Sequence, residues 1–283
     1  MNRIVVDLGS VDDVREMQRR RRLDDAAIAL SLHSAERGSA WVARDDAAVI
    51  GILVARNTSD QRYVGDWYVE SSYRKAGVGN ALLRAARDGI EDLTFAAVVD
   101  PEDAAAPALL LRSGIALREP IVRVAGEIPK EEVLAKMAAG EYRFNVEPVD
   151  VASHGYALDE LDRNARGTTR PDDHAAFARI ATGNAFFLGG ECVGYAYVWP
   201  DGRVGPMACA SESYLVQIFA YALVTLHRHH GASWCTALIP GSNGRVARAA
   251  MRAGLQITKT LLFSSNTEPI GLRNYVGYHE LLF

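Results

Sequence analysis

The sequence is short of lysine, cysteine and long apolar runs, and each shortage excludes something. Only Lys75, Lys130, Lys136 and Lys259 are lysines among 31 basic residues, and 35 acidic residues bring the formal charge to −4. No global positive field therefore recruits nucleic acid or an anionic membrane. No apolar stretch approaches the roughly 20 residues that span a bilayer. The first twenty residues carry Asp7 and Asp12 where a secretory leader would be apolar. A cytoplasmic location is the expectation. Cys192, Cys209 and Cys235 are odd in number and contain no CxxC pair, so buried free thiols are expected rather than disulfides, zinc or redox chemistry. A Gly-x-Gly-x-x-Gly turn in an early βαβ unit and a Gly-Lys-Ser/Thr loop are both missing, which excludes those two ways of holding a nucleotide.

What the chain does have is length and repetition. Its 283 residues suit two compact units of about 140, each able to bury a core. The run Arg3-Ile4-Val5-Val6-Asp7 returns as Arg143-Phe144-Asn145-Val146-Glu147, 140 positions later. Tyr63-Val64-Gly65 matches Arg203-Val204-Gly205, and Arg112-Ser113-Gly114 matches Arg252-Ala253-Gly254, at the same offset of 140. Val49 to Val54 resembles Cys192 to Tyr197 at an offset of 143. Ordered matches at nearly constant spacing indicate a duplicated unit. The expected domains are 1–130 and 141–283, joined by a linker near Pro129 to Gly140.

Patterning within the first unit predicts a strand at 2–8, helices at 11–21 and 24–35, and strands at 40–44, 47–56 and 62–70. Asp45-Asp46 and Asn57-Thr58-Ser59-Asp60 supply the turn chemistry between these strands. A helix from 77 to 89, a strand at 93–99, a helix at 103–113 and closing strands to about 128 complete the unit. The second unit repeats the order, with strands at 142–148, 184–189, 192–199 and 203–209, a helix from 212 to about 229, and a strand at 234–239. A helix from Asn243 and closing strands near 256–263 and 274–282 follow. The fold class expected is α/β with mixed sheets, in two tandem domains.

The chemistry-bearing stretch begins at the end of the fourth strand: Trp67-Tyr68-Val69-Glu70, then Arg74-Lys75-Ala76-Gly77-Val78-Gly79-Asn80 opening a helix. Helix N-termini expose N–H donors that attract anions, and glycines let main chain approach a ligand closely. Arg74 and Lys75 add full charges, and a guanidinium grips phosphate oxygens in pairs.

On these residues the chain resembles the GNAT superfamily of N-acetyltransferases, whose Arg/Gln-x-x-Gly-x-Gly/Ala motif corresponds to Arg74-x-x-Gly77-x-Gly79. Asn243 to Gly254 is similar to the family's Asn-x-x-Ala helix followed by Lys/Arg-x-Gly. The resemblance implies acetyl-CoA wedged where the fourth and fifth strands splay. Its pyrophosphate would lie on the amides of Lys75, Ala76, Gly77, Val78, Gly79 and Asn80. The pantetheine arm would run along the fourth strand, where main chain near Trp67 and Val69 would bond its amides and the thioester carbonyl. Trp67 and Tyr68 either line the acceptor tunnel or pack between strands. Asp66 and Glu70 flank the segment beside the thioester and are the candidate general bases, with a surface ion pair as the alternative for each.

Two departures matter. The family's tyrosine acid, four residues before the glycine closing the second conserved helix, is replaced by Leu110 and, in the second unit, by Ala250. The 140 offset also sets Tyr214, Gln217 and Phe219 against Arg74, Gly77 and Gly79, so a degenerate second site without coenzyme A is expected. His227, His229 and His230 are read as a basic helix end rather than a metal site. Arg19 to Arg22 form either a solvated helix end or a border of the acceptor site. The implied function is acetyl-CoA-dependent N-acetylation of a small-molecule primary amine. A cofactor-binding pseudoenzyme and a protein or peptide acetyltransferase are the alternatives. Neither a nucleic-acid nor a membrane partner is expected, and a monomer or weak homodimer is.

Overall fold

A computed structural model describes residues 4–23, 25–90, 92–269 and 271–283. Arg3 and the opening residues of the strand expected at 2–8 lie outside the described residues. The chain divides into two compact units that are not contiguous: the first is 1–118 with 263–267 and 280–283, the second 119–262 with 268–279.

The first unit begins with β1 (Val5–Leu8), α1 (Val11–Arg21), α2 (Asp25–Arg37), β2 (Gly38–Asp45), β3 (Ala48–Asn57) and β4 (Gln61–Val69). Helix α1 starts where Ser10 and Asp13 cap each other: Ser10 Oγ accepts the Asp13 N–H, and Asp13 Oδ2 accepts the Ser10 N–H. It stops at Arg22, whose φ of 56° is left-handed. The β2–β3 hairpin turns through Asp46, which takes φ 51° as a two-residue loop requires. Next come α3 (Val78–Arg87), β5 (Thr94–Val99) and α4 (Ala105–Arg112), and then β6 (Ala116–Glu127), whose residues from Glu119 on belong to the second unit. Strands β1 to β4 pair in sequence order and antiparallel, and β4 pairs β5 in parallel. Val14 and Met17 of α1 bury against Val42, Ile52 and Val54 of the sheet. Each such burial contributes on the order of 1.5–3 kcal/mol.

The second unit contains α5 (Glu131–Ala138), β7 (Asn145–Pro148), α6 (Val151–Arg166), α7 (Pro171–Ile180), β8 (Thr182–Leu188) and β9 (Glu191–Val198). They are followed by β10 (Val204–Cys209), α8 (Leu215–His230), β11 (Trp234–Pro240), α9 (Gly244–Arg252), β12 (Gln256–Ser265) and β13 (Tyr275–Val276). The repeat holds at the level of elements: β1 and β7, β5 and β11, and β6 and β12 each start 140 residues apart. Leu215, Ile218, Phe219, Leu223 and Leu226 of α8 form the middle of the core with Phe186, Met207 and Val246.

Three expectations are corrected, and one pairing is new. The segment 129–140 is not a bare linker, because α5 forms there and Leu134 buries into the second core. The closing strands after α4 are one strand, β6, which pairs antiparallel with β11 from Ile121–Pro240 to Glu127–Trp234. Beside β5 stands the end of β12, with Phe95 N–H bonded to Asn266 Oδ1 at 2.7 Å. The strand expected at 274–282 shrinks to Tyr275–Val276 after a 3-10 turn at Leu272–Asn274.

All three cysteines are free, with Cys209 and Cys235 buried and Cys192 partly so. Burial pushes the Cys235 thiol up to about 12. His227 Nδ1 lies 3.0 Å from the Ala232 carbonyl and His230 Nε2 lies 3.1 Å from Thr182 Oγ1, next to the left-handed Gly231 that ends α8. Among the described residues no group of three or more His, Cys, Asp or Glu could hold a metal, and no helix is long and apolar enough to cross a membrane.

Candidate active site

Strand β4 outruns its partner. It pairs β5 only from Gln61–Thr94 to Val64–Ala97, whereas its bonds to β3 continue to Val69–Gly51. Among the described residues, no named strand pairs with the β5 side of β4 from Gly65 to Val69. A bulge starts the separation, since Val64 faces Ala55 but Asp66 faces Val54, leaving Gly65 as the extra residue.

Past Val69 the chain makes a 3-10 turn at Ser71–Tyr73 and enters α3 through Gly77, at φ 85°. Gly77 and Gly79 are needed for different reasons. At Gly77 an added Cβ would meet nothing within 4 Å, so only the left-handed backbone demands glycine. At Gly79 a Cβ would lie 3.4 Å from Leu109 Cδ1 and 3.6 Å from Trp67 Cζ2, an ordinary fit. Its absence leaves space. Lys75 also sits at φ 66°, an uncommon conformation for a side-chain-bearing residue and one that clusters at ligand-holding turns. The N–H groups of Val78, Gly79 and Asn80 precede the first helical bond, Ala81 N–H to Gly77 O at 3.0 Å.

These pieces enclose a cavity of about 340 Å³, lined by Trp67, Tyr68, Val69, Arg74, Lys75 and Gly79 and walled by Asp103, Ala105, Ala106 and Leu109 of α4 and the turn before it. Of the cofactor residues expected from the motif, Ala76, Gly77, Val78 and Asn80 do not line the cavity: Val78 is turned into the core, and Ala76, Gly77 and Asn80 are exposed. The α4 wall was missed. Ala106 and Leu109 stand three apart on one helical face, a signal indistinguishable from core packing. Tyr73 also lines the cavity, and its hydroxyl donates to Asp45 Oδ2 at 2.8 Å. That hydrogen bond pushes the phenol up.

The two candidate bases separate. Asp66 is 3% exposed and accepts from Arg21 at 2.8 Å on both oxygens, from Ser31 Oγ at 3.1 Å and from Gln18 Nε2. It ties α1 and α2 to β4. Glu70 is partly exposed and accepts from Arg20 at 2.8 Å. Arg20 also reaches the Val49 carbonyl, and the Arg21 guanidinium lies 4.5 Å from the centre of the Tyr68 ring, with Arg74 on the same ring at 5.9 Å. In the Arg19 to Arg22 run, Arg20 and Arg21 pair with Glu70 and Asp66 beside the cavity, while Arg19 and Arg22 are exposed at the helix end. Asp66→Asn is expected to lower stability by about 1–3 kcal/mol in urea unfolding, since it strands donors of Arg21 and Ser31. Loss of rate at unchanged stability would instead assign it to the chemistry.

The second unit lacks this opening. The gap between β10 and β11 begins at the bridge Arg203–Thr236, and β13 fills it: Met207 pairs Val276, Ala208 pairs Tyr275, and Gly277 bonds Leu238. Asn243 Nδ2 holds the Tyr275 carbonyl at 2.9 Å, and Arg170 holds the Tyr275 hydroxyl at 2.6 Å. The offset of 140 fails locally, because α3 and α8 start at 78 and 215. Tyr214 caps α8 where Gly77 caps α3, so Gln217 and Phe219 are not the counterparts of Gly77 and Gly79. Neither glycine has a counterpart, however: the helix opens Tyr214-Leu215-Val216, Gln217 bonds the carbonyls of Ala138 and Tyr142, and Phe219 is core. Leu110 and Ala250 are both fully buried.

Residues 36–110 match the family model described as an acetyltransferase (GNAT) domain. No curated protein matches the chain. A Pyrococcus horikoshii protein described as a candidate acetyltransferase superposes with TM-score 0.75 at 17% identity, over 99% of this chain and 95% of its own. A tandem GNAT protein from the clavulanic acid biosynthesis pathway gives TM-score 0.63 at 15% identity, over 93% and 98%. A GCN5-related N-acetyltransferase from Sphaerobacter thermophilus gives TM-score 0.63 at 14% identity, over 100% and 99%. At these identities the likeness is one of fold, and it runs through both units.

Proposed function

Because residues 36–110 match the acetyltransferase (GNAT) domain model, we propose that the first unit transfers the acetyl group of acetyl-CoA to the primary amine of a small molecule. The observation that carries this reading is the unpaired β5 side of β4 leading to the Gly77 turn and the cavity beside Gly79. Arg74, Lys75 and the amides at the start of α3 would hold the pyrophosphate. Main-chain groups between Gly65 and Val69 would bond the amides of the arm and polarise the thioester carbonyl.

The amine must reach the carbonyl as a neutral nucleophile. Of the two carboxylates, Glu70 is suited to take its proton, directly or through water, because it has one arginine partner while both Asp66 oxygens are occupied. With Leu110 where a phenol would stand, the departing thiolate takes its proton from solvent. That same replacement favours the second reading, a unit that binds acetyl-CoA without turning it over. The enzyme reading includes a monomer or weak dimer and a cytoplasmic setting.

Calorimetry with acetyl-CoA followed by thiol release against small amines and lysine peptides separates the readings. One binding site with release on a small amine supports the enzyme. Binding without release supports the sensor, and release only on peptides supports protein acetylation. Glu70→Gln is expected to reduce kcat/KM about 10²-fold or more near neutral pH, with acetyl-CoA affinity unchanged.

A further inference from the structure

Residues 280–283 belong to the first unit, and they lie on β4 at a particular place. Tyr63 donates its hydroxyl to the Glu280 carbonyl. The Leu281 carbonyl approaches Gly65 so closely that a Cβ there would stand 2.2 Å from its oxygen. Tyr63 and Gly65 flank Val64, the last β4 residue paired with β5. The segment is also well packed: Leu282 and Phe283 are 3% and 2% exposed, and the Phe283 ring centre is 5.9 Å from that of Phe263.

The cofactor reading above fixes what lies there, and the following rests on it. An arm starting from the Arg74–Gly79 turn and running back along β4 passes Val69 and Trp67 toward Gly65. Those four residues from Val69 span about 13 Å. The Leu281 carbonyl lies over β4 at Gly65, next to the closed end of the strand gap, and the arm would bring the thioester toward this point. We propose that Glu280–Phe283 forms a fixed wall of the acceptor compartment, and that Gly65 is the positioning residue that lets this wall come so near. A wall fixed there limits the depth available to the acceptor amine. Its carbonyls, unlike side chains, cannot swing aside.

The test uses the full chain with Glu280→Cys and, separately, Leu281→Cys, each treated with bromoacetyl-CoA or with iodoacetamide and followed by mass spectrometry. At least one variant should acquire the coenzyme A adduct at the introduced thiol tenfold or more faster than iodoacetamide labels it, and excess acetyl-CoA should suppress the adduct. If calorimetry shows coenzyme A binding and neither variant shows that acceleration, the wall is misplaced and the proposal falls while the enzyme reading stands. If coenzyme A does not bind at all, the cofactor reading itself falls and takes this one with it. Gly65→Ala supplies a second readout. It should raise the amine KM at least tenfold, because a Cβ 2.2 Å from the Leu281 oxygen must push that carbonyl away, whereas an unchanged amine KM in the folded variant would overturn the role of Gly65.

Discussion

Asp162→Asn should be the most destabilising single exchange in the second unit, lowering its stability by about 3–5 kcal/mol. Asp162 is fully buried on α6. It accepts from Tyr195 at 2.5 Å, lies 2.9 Å from His174 Nε2, and is 3.1 Å from Arg170 Nε in an ion pair rather than an aligned hydrogen bond. Burial alone would raise its pKa, but Arg170 and then His174 outweigh that, so the carboxyl is held below the ordinary aspartate range. Asparagine fills the same volume without the charge and strands a guanidinium that is 1% exposed. The consequence reaches β13, because Arg170 also secures Tyr275. The pH dependence has a definite sign. A carboxyl with a lowered folded pKa contributes its full stability above the ordinary aspartate value, and loses it as the pH falls through the folded value. Urea midpoints measured from neutral pH down to the acid range should therefore fall more steeply for the wild type than for Asp162→Asn. Parallel curves would show that the network contributes nothing through charge.

Gly79→Trp should raise the Kd for acetyl-CoA at least a hundredfold, about 2.7 kcal/mol, while thermal stability stays close to that of the wild type. The two halves of this result have separate causes. A Cβ at Gly79 fits against Leu109 and Trp67 without displacing either, so the fold tolerates the exchange. The indole beyond it must occupy the cavity of about 340 Å³ that the cofactor needs. Unchanged calorimetric affinity would mean that the cofactor binds elsewhere. In the second unit Phe219→Gly should create no new site, because Phe219 lies in the core and β13 occupies the strand gap. It should only destabilise.

The order of elements was legible because its breaks are announced locally: Asp45-Asp46 and Asn57 to Asp60 between strands, and Gly77 at the turn before a helix. The duplication was legible for the same reason, as the copies keep their punctuation. What escaped depends on partners far along the chain. Nothing near Phe95 says that its neighbour is Asn266, and nothing in Tyr275-Val276 says that they fill a gap between two other strands. The offset of 140 misled at α8 because the chain there has lost residues relative to α3, and strict counting cannot see a deletion. In the sequence Asp66 reads as a surface or catalytic acid, because burial is invisible there and its partners Gln18, Arg21 and Ser31 lie on two other elements.

The return of residues 263–267 to the first unit also bears on how the protein is made. Phe95 and Asn266 are 171 positions apart, so a ribosome that has finished the first 118 residues has produced a sheet whose β5 edge is still bare. Nascent chains generally fold domain by domain from the N-terminus. Here the first unit must wait for almost the whole polypeptide, exposing an unpaired strand for many seconds at ordinary synthesis rates. Fragments ending near residue 140 should accordingly be collected from cells as aggregates or chaperone complexes, whereas the uninterrupted chain closes that edge itself.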